Sequence, residues 1–135
     1  TAARPTSPSN GYIRYNSEIN AFEGYVNGAW SGLGGGNPWI IKSSADATYT
    51  AINNDRIFVD TSAGPVAINL PSNPNLGDSI RFLDLSGTFD TNNLTVNNNG
   101  SNINGQNDVL VVAVENAGFQ LVYTNASQGW KLLEV

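Results

Sequence analysis

The chain contains no histidine, no cysteine and no methionine. The first two absences remove the Ser-His-Asp and Cys-His catalytic arrangements and the usual zinc ligand sets, and without cysteine no disulfide can staple the fold. Charge is scarce too: 13% of the residues are charged, six basic against eleven acidic, for a net charge of -5. Because the six basic residues are scattered, they offer no footprint for a phosphate backbone or an anionic lipid surface, so neither nucleic acid nor membrane insertion is expected. The longest apolar run, Val109 to Val114, is far shorter than the roughly 20 residues of a spanning helix. Thr1 opens no secretory signal pattern. A chain without methionine even at its first position is expected to be processed or to be a piece of a longer polypeptide.

Helix signals are missing as well, since no window repeats apolar residues at a 3.6-residue period. Turn and strand chemistry is plentiful instead, with twenty asparagines and 14 glycines. Both residues are poor helix formers, and asparagine tolerates left-handed backbone. A chain of 135 residues is long enough for one domain with a core, plus an appendage.

The stretch Asp60 to Asp84 sets the grammar. Val66, Ile68 and Leu70 alternate with Ala67 and Asn69, then Ile80 and Phe82 alternate with Ser79 and Arg81, the period-2 pattern of half-buried strands. Gly64-Pro65 opens the first strand, while Pro71, Pro74 and Gly77 separate it from the second. The same pattern predicts strands at Trp39 to Ser43, Thr48 to Ala51, Arg56 to Asp60, Leu94 to Asn97, Val109 to Val114, Gly118 to Thr124 and Trp130 to Val135. Many short strands with turn signals between them point to a sandwich or barrel. Val109 to Val114 lacks alternation, which predicts a strand covered on both faces, either central in the sandwich or at a subunit contact. Ile103, alone in the polar loop Asn97 to Asn107, is expected to anchor that loop in the core.

Ahead of this domain, residues 1–10 read as extended or disordered chain. Tyr12 to Tyr15, Ala21 to Val26 and Ala29 to Ser31 then form a three-stranded meander, with Asn27-Gly28 as a two-residue hairpin turn. Its aromatic residues, Tyr12, Tyr15, Phe22, Tyr25 and Trp30, are too many for so small a unit to bury. The glycine run Gly32 to Gly36 separates the meander from the domain that follows. These rings, with Trp39, are therefore expected at contacts with further copies of the same chain.

Residues for chemistry are few. Asp55, Asp60, Asp78, Asp84, Asp90, Asp108, Glu115 and Glu134 could in principle supply a glycosidase pair, but at strand ends and turns an aspartate ordinarily accepts from its own backbone. Asp90-Thr91-Asn92 offers oxygen ligands suited to calcium, without the glycine and distal glutamate of the complete loop. Neither catalytic nor metal-ligating residues are assigned, and nothing calls for a cofactor. Three Asn-X-Ser/Thr matches, at Asn93, Asn99 and Asn125, are expected by chance in so asparagine-rich a chain. A sugar surface needs rings to stack on and amides for hydroxyls. Trp30, Trp39 and Trp130 are candidates for the first, and the loop residues Asn97, Asn98, Asn99, Asn102, Asn104 and Gln106 are candidates for the second.

Two parts resemble known modules. Arg4-Pro5 followed by Gly11, Ile13-Arg14-Tyr15-Asn16, Phe22-Glu23-Gly24-Tyr25, Asn27-Gly28 and Trp30 resembles a short module of fibre and other virion proteins of tailed bacteriophages. Asp60 to Gly64, Leu70-Pro71, Gly77-Asp78, Phe82, Asp84, Asn93 to Val96, Asn99-Gly100, Ile103 to Gly105, Leu121 to Tyr123 and Trp130 look like a β domain found at the ends of phage fibres. The resemblance implies a homotrimeric virion appendage on tail or capsid, with the glycine run joining a stem module to a globular head; the function expected from it is structural and not enzymatic, in company with other virion proteins, with attachment to a host surface polysaccharide as the task of the head.

The expectation is thus an all-β, C-terminal fragment of a fibre protein. A stem meander spans 1–33, a glycine-rich linker 34–38, and a trimeric head of jelly-roll sandwich type 39–135. The alternatives are a capsid decoration protein, a polysaccharide-cutting enzyme and a carbohydrate-binding module of a bacterial protein.

Overall fold

The computed structural model describes residues 4–18, 20–33 and 38–134. The chain forms two compact units, Thr1–Asn37 and Pro38–Val135. The expected glycine linker, residues 34–38, lies outside the described residues except for Pro38.

The first unit is an antiparallel meander of β1 (Ile13–Asn16), β2 (Ala21–Val26) and β3 (Ala29–Gly32). Asn27 and Gly28 both take positive φ, 51° and 82°, the left-handed pair that a two-residue hairpin turn requires. Tyr15 faces Phe22 across the first pairing and Tyr25 faces Trp30 across the second. The described part of the segment before β1 forms neither strand nor helix, in keeping with the extended reading and not the disordered one, because it is docked: Arg4 binds Glu23, and Gly11 N donates to Tyr25 O at 2.8 Å.

The second unit holds β4 (Trp39–Ser43), β5 (Tyr49–Thr50), β6 (Arg56–Asp60), β7 (Val66–Asn69), β8 (Ser79–Asp84), β9 (Leu94–Asn97), β10 (Leu110–Val112), β11 (Gly118–Tyr123) and β12 (Trp130–Glu134). A five-stranded sheet runs β12-β11-β8-β6-β4 and a four-stranded sheet runs β10-β9-β7-β5. All described regular structure is β, as expected.

The winding differs from a jelly roll. From β4 to β9 the chain crosses between the sheets at every step, and β4, β6 and β8 pair in parallel, as do β5, β7 and β9. A jelly roll is antiparallel throughout, whereas these are three stacked coils of solenoid type. Antiparallel β10, β11 and β12 complete the two sheets. Consequently β7 and β8, adjacent in sequence, lie in opposite sheets.

Parallel pairing in register stacks like on like. Ile40, Ile57, Phe82 and Phe119 form one inward column across the five-stranded sheet. Tyr49, Ile68, Val96 and Leu110 form another on the facing sheet. Together with Val59, Leu70, Ile80, Leu94, Leu121 and Trp130 they make one core between the sheets. The Asp84 carboxylate accepts four backbone N–H groups, from Gly87, Thr88, Phe89 and Asn116, at 2.9–3.2 Å. That clasp fixes the loop after β8 and brings Phe89 fully into the core. Ile103 is buried as expected, with its N–H donating to Gln106 O at 2.9 Å.

Candidate functional site

In the meander, alternation divides the predicted contact rings between two faces. One face carries Tyr12, Arg14, Asn16, Glu23, Tyr25 and Trp30. Its centre is polar: the buried Glu23 carboxylate receives Arg4 Nε at 2.9 Å and Nη2 at 2.6 Å and Asn16 Nδ2 at 3.3 Å, and forms an ion pair with Arg14, whose Nε is 3.5 Å away. Both guanidiniums lie over the Trp30 ring, 5.6 and 6.0 Å from its centre, and Tyr12 and Tyr25 meet that ring edge-on. The hydrogen bonds from Arg4 hold the Glu23 carboxyl at about 2, well below its ordinary range, against the opposing effect of burial.

The other face is apolar and open to water. Ile13 is 62% exposed, Phe22 57%, Val26 52%, Tyr15 51% and Leu33 44%. Leu33 lies over Gly24, which has no side chain to obstruct it, and Tyr15 meets Phe22 edge-on at 5.3 Å. The predicted set thus identifies two members of this surface, Tyr15 and Phe22. Ile13, Val26 and Leu33 lie outside that set, which contains aromatic residues alone, although period-2 alternation in β1 and β2 places Ile13 and Val26 on this face. Trp39 belongs to the second unit, where it stacks on Phe58 at 4.6 Å.

The polar loop Asn97 to Asn107 uses its amides mostly on the protein itself. Asn97 Nδ2 donates to Asn69 Oδ1 at 2.8 Å, and Asn69 Nδ2 donates to Thr50 Oγ1 at 3.3 Å, a ladder up three parallel strands. Asn99 Nδ2 donates to Leu70 O at 2.8 Å and Asn102 Nδ2 to Ser127 O at 2.9 Å. Asn104 Oδ1 accepts from Leu132 N at 3.3 Å. Asn98 donates to Asn107 Oδ1 at 2.9 Å, and Gln106 stands exposed. The candidates therefore share one loop, with four of the six amides bonded to other parts of the unit and a fifth, Asn98, bonded within the loop.

Val109 to Val114 is a correction. Only Leu110–Val112 is strand, and it is the edge of its sheet, not its centre; Val109, Val111 and Val114 are exposed. Beside it Leu110, Val112, Ala117, Phe119 and Leu132 line an open groove of about 420 Å³ between the β10 and β11–β12 ends of the two sheets. Of the two readings of this run, central burial falls, and a contact surface is the reading compatible with an exposed edge.

Trp130, a candidate for sugar stacking, is fully buried and is therefore a core residue. The carboxylates fasten backbone. Asp55 Oδ2 accepts from Tyr49 Oη at 2.7 Å and Ile52 N at 2.9 Å, Asp78 accepts from Asn75 N at 2.9 Å, and Asp60 accepts from Ser62 N at 3.0 Å and Ser86 Oγ at 2.6 Å. Bonds from Ser62 and Ser86 hold Asp60 at about 2, while burial, followed by the Asp55 bond, pushes Tyr49 up to about 12. Asp90 accepts from Thr91 Oγ1 at 3.4 Å, and Asn92 donates to Thr61 O at 2.9 Å. No three acidic side chains gather among the described residues.

No protein-family model matches the chain, and no curated protein matches it. Among solved structures, a chain from a chaperone–substrate complex is similar at 17% identity and a TM-score of 0.41, over 82% of this chain. This chain spans 20% of the length of that one. A likeness so slight carries no reading of fold or function.

Proposed function

We propose that the chain is part of a homotrimeric fibre of a tailed-phage virion, a structural and non-enzymatic protein whose second unit meets a host-surface glycan. The observation that carries this reading is the open apolar face of the meander, Ile13, Tyr15, Phe22, Val26 and Leu33. A monomer rarely leaves so continuous an apolar surface in water, and hiding it against further copies stabilises by roughly 1 to 2 kcal/mol for each large side chain withdrawn. The Arg4–Glu23 clasp supports the same reading, because it completes the opposite face within one chain and leaves this one for assembly. The exposed edge β10 and its groove supply a second apolar surface in the other unit. The threefold state and the virion setting rest on the resemblance carried by Ile13 to Asn16 and Phe22 to Tyr25. Adhesion through several copies gains effective concentration without needing a strong single site.

Substitution of Phe22 by Glu tests the assembly directly. A charge in the centre of the apolar face is expected to give monomers with the fold intact, as read by light scattering and circular dichroism. Unchanged assembly of the variant contradicts the proposal. Labelled antibody on intact virions decides the setting: label at the tail supports the fibre, and label spread over the shell supports the capsid-decoration alternative.

A further inference from the structure

The outer face of the five-stranded sheet concentrates positive charge in an acidic protein. In-register pairing sets Trp39, Arg56, Arg81, Gln120 and Leu133 in one row across β4, β6, β8, β11 and β12. Lys131 projects from the same side of β12, beside Val122. Three of the four basic residues of the second unit therefore share one face, although the whole chain has eleven acids to six bases. The fourth, Lys42, lies elsewhere, its ammonium 4.4 Å from the centre of the Tyr49 ring. The carboxylate that β6 sends to this face, Asp60, is at the far end of the strand and accepts from Ser62 and Ser86.

Arg56 and Arg81 are register partners on neighbouring parallel strands, whose backbones run about 4.8 Å apart. Side by side on neighbouring strands, the two side chains bring two sets of guanidinium N–H donors to one part of the face. A guanidinium fork fits a carboxylate with two parallel bonds. Beside the pair, Trp39 is 36% exposed and held flat against Phe58, 26° from parallel at 4.6 Å, with the Arg56 guanidinium 5.6 Å from the Trp39 ring centre. A fixed indole next to two guanidiniums offers a sugar ring a stacking surface and its carboxylate a partner. The strand repeat is also close to the length of one hexose unit, so a glycan running across the strands meets successive side chains of the row.

We infer that this face binds a carboxylate-bearing polysaccharide, with Arg56 and Arg81 on the acid groups and Trp39 under a sugar ring. The inference rests on reading the second unit as the part that meets a glycan, and moves the contact from the asparagine loop, whose amides are mostly committed, to the sheet.

The test uses the whole chain against polygalacturonate, neutral dextran and a single-stranded thymidine oligonucleotide, with sedimentation run on the same samples. Polygalacturonate alone is expected to bind, with affinity falling as salt rises from about 50 to 300 mM. Arg81→Gln, at an exposed position, is expected to weaken binding about tenfold. Lys42→Gln removes the same charge from another surface and is expected to change nothing. Equal losses in the two variants, or tighter binding of the oligonucleotide, overturn the inference. Dextran binding that ignores Arg81→Gln overturns it while leaving glycan adhesion standing. An assembled trimer that binds neither polysaccharide removes both and leaves a purely structural fibre.

Discussion

Arg4 and Glu23, 19 positions apart in sequence, meet side on through two hydrogen bonds of 2.9 and 2.6 Å. This pairing makes the segment before β1 part of the folded meander and gives so small a unit a polar centre. Arg14, Asn16 and Trp30 complete it. The large apolar side chains are thereby left on the opposite face, where only another surface can cover them.

Acid should open this unit. The Glu23 carboxyl lies at about 2 when folded, against an ordinary value of 4.5, mainly through the bonds from Arg4. A carboxyl depressed by folding adds stability that is fully present above its unfolded value and lost as the pH falls through its folded value. The meander is therefore expected to loosen as pH falls from about 4.5 to about 2. Near-ultraviolet circular dichroism, sensitive to Tyr12, Tyr25 and Trp30 around the clasp, would follow the change. Asp60, also at about 2, titrates with the second unit in the same range. Glu23→Gln should remove the aromatic part of the transition, and an unaltered transition in that variant would count against the clasp.

The amide ladder should be worth measurable stability. Asn69 receives Asn97 Nδ2 and donates to Thr50 Oγ1, so Asn69→Ala strands partners on both neighbouring strands. A loss of about 1 to 3 kcal/mol is expected in urea unfolding. A loss indistinguishable from zero would mean that water replaces the ladder at no cost.

Gly129 should tolerate no side chain. Its φ is +67°, and a β-carbon there would stand 1.9 Å from the Asn102 carbonyl oxygen. That carbonyl accepts from Trp130 N at 2.8 Å and ties the polar loop to β12, so it has no room to retreat. Gly129→Ala is expected to cost roughly 3 kcal/mol, from backbone strain and overlap together. Thermal unfolding within a degree of the parent would refute the close approach.

Strands were legible in the sequence and their winding was not. Ala21–Val26, Trp39–Ser43, Arg56–Asp60 and Leu94–Asn97 match their predicted ends, because alternation and Asn-Gly or proline punctuation are local signals. Of the four Asn-Gly pairs that announce turns, Asn27-Gly28, Asn99-Gly100 and Asn104-Gly105 take the left-handed pair, whereas at Asn10-Gly11 only Gly11 has a positive φ. The coils carry no such mark. Trp39 pairs with Arg56, a step of 17 residues (39 to 56), while Arg56 pairs with Arg81, a step of 25 (56 to 81), so no fixed period betrays the repeat. The edge position of Val111 was hidden for a related reason, since an apolar run reads the same whether its second face meets a core or a partner. Glu23 shows the converse, a carboxylate whose burial depends on Arg4, far along the chain.

Self-association is the claim on which the functional account stands, and sedimentation equilibrium of the unmodified protein measures it most directly. The account predicts about 43 kDa, three times the 14.3 kDa chain, and a return to single chains in Phe22→Glu. A particle of one chain mass at micromolar concentration, with Tyr15 and Phe22 still open to solvent, would contradict it.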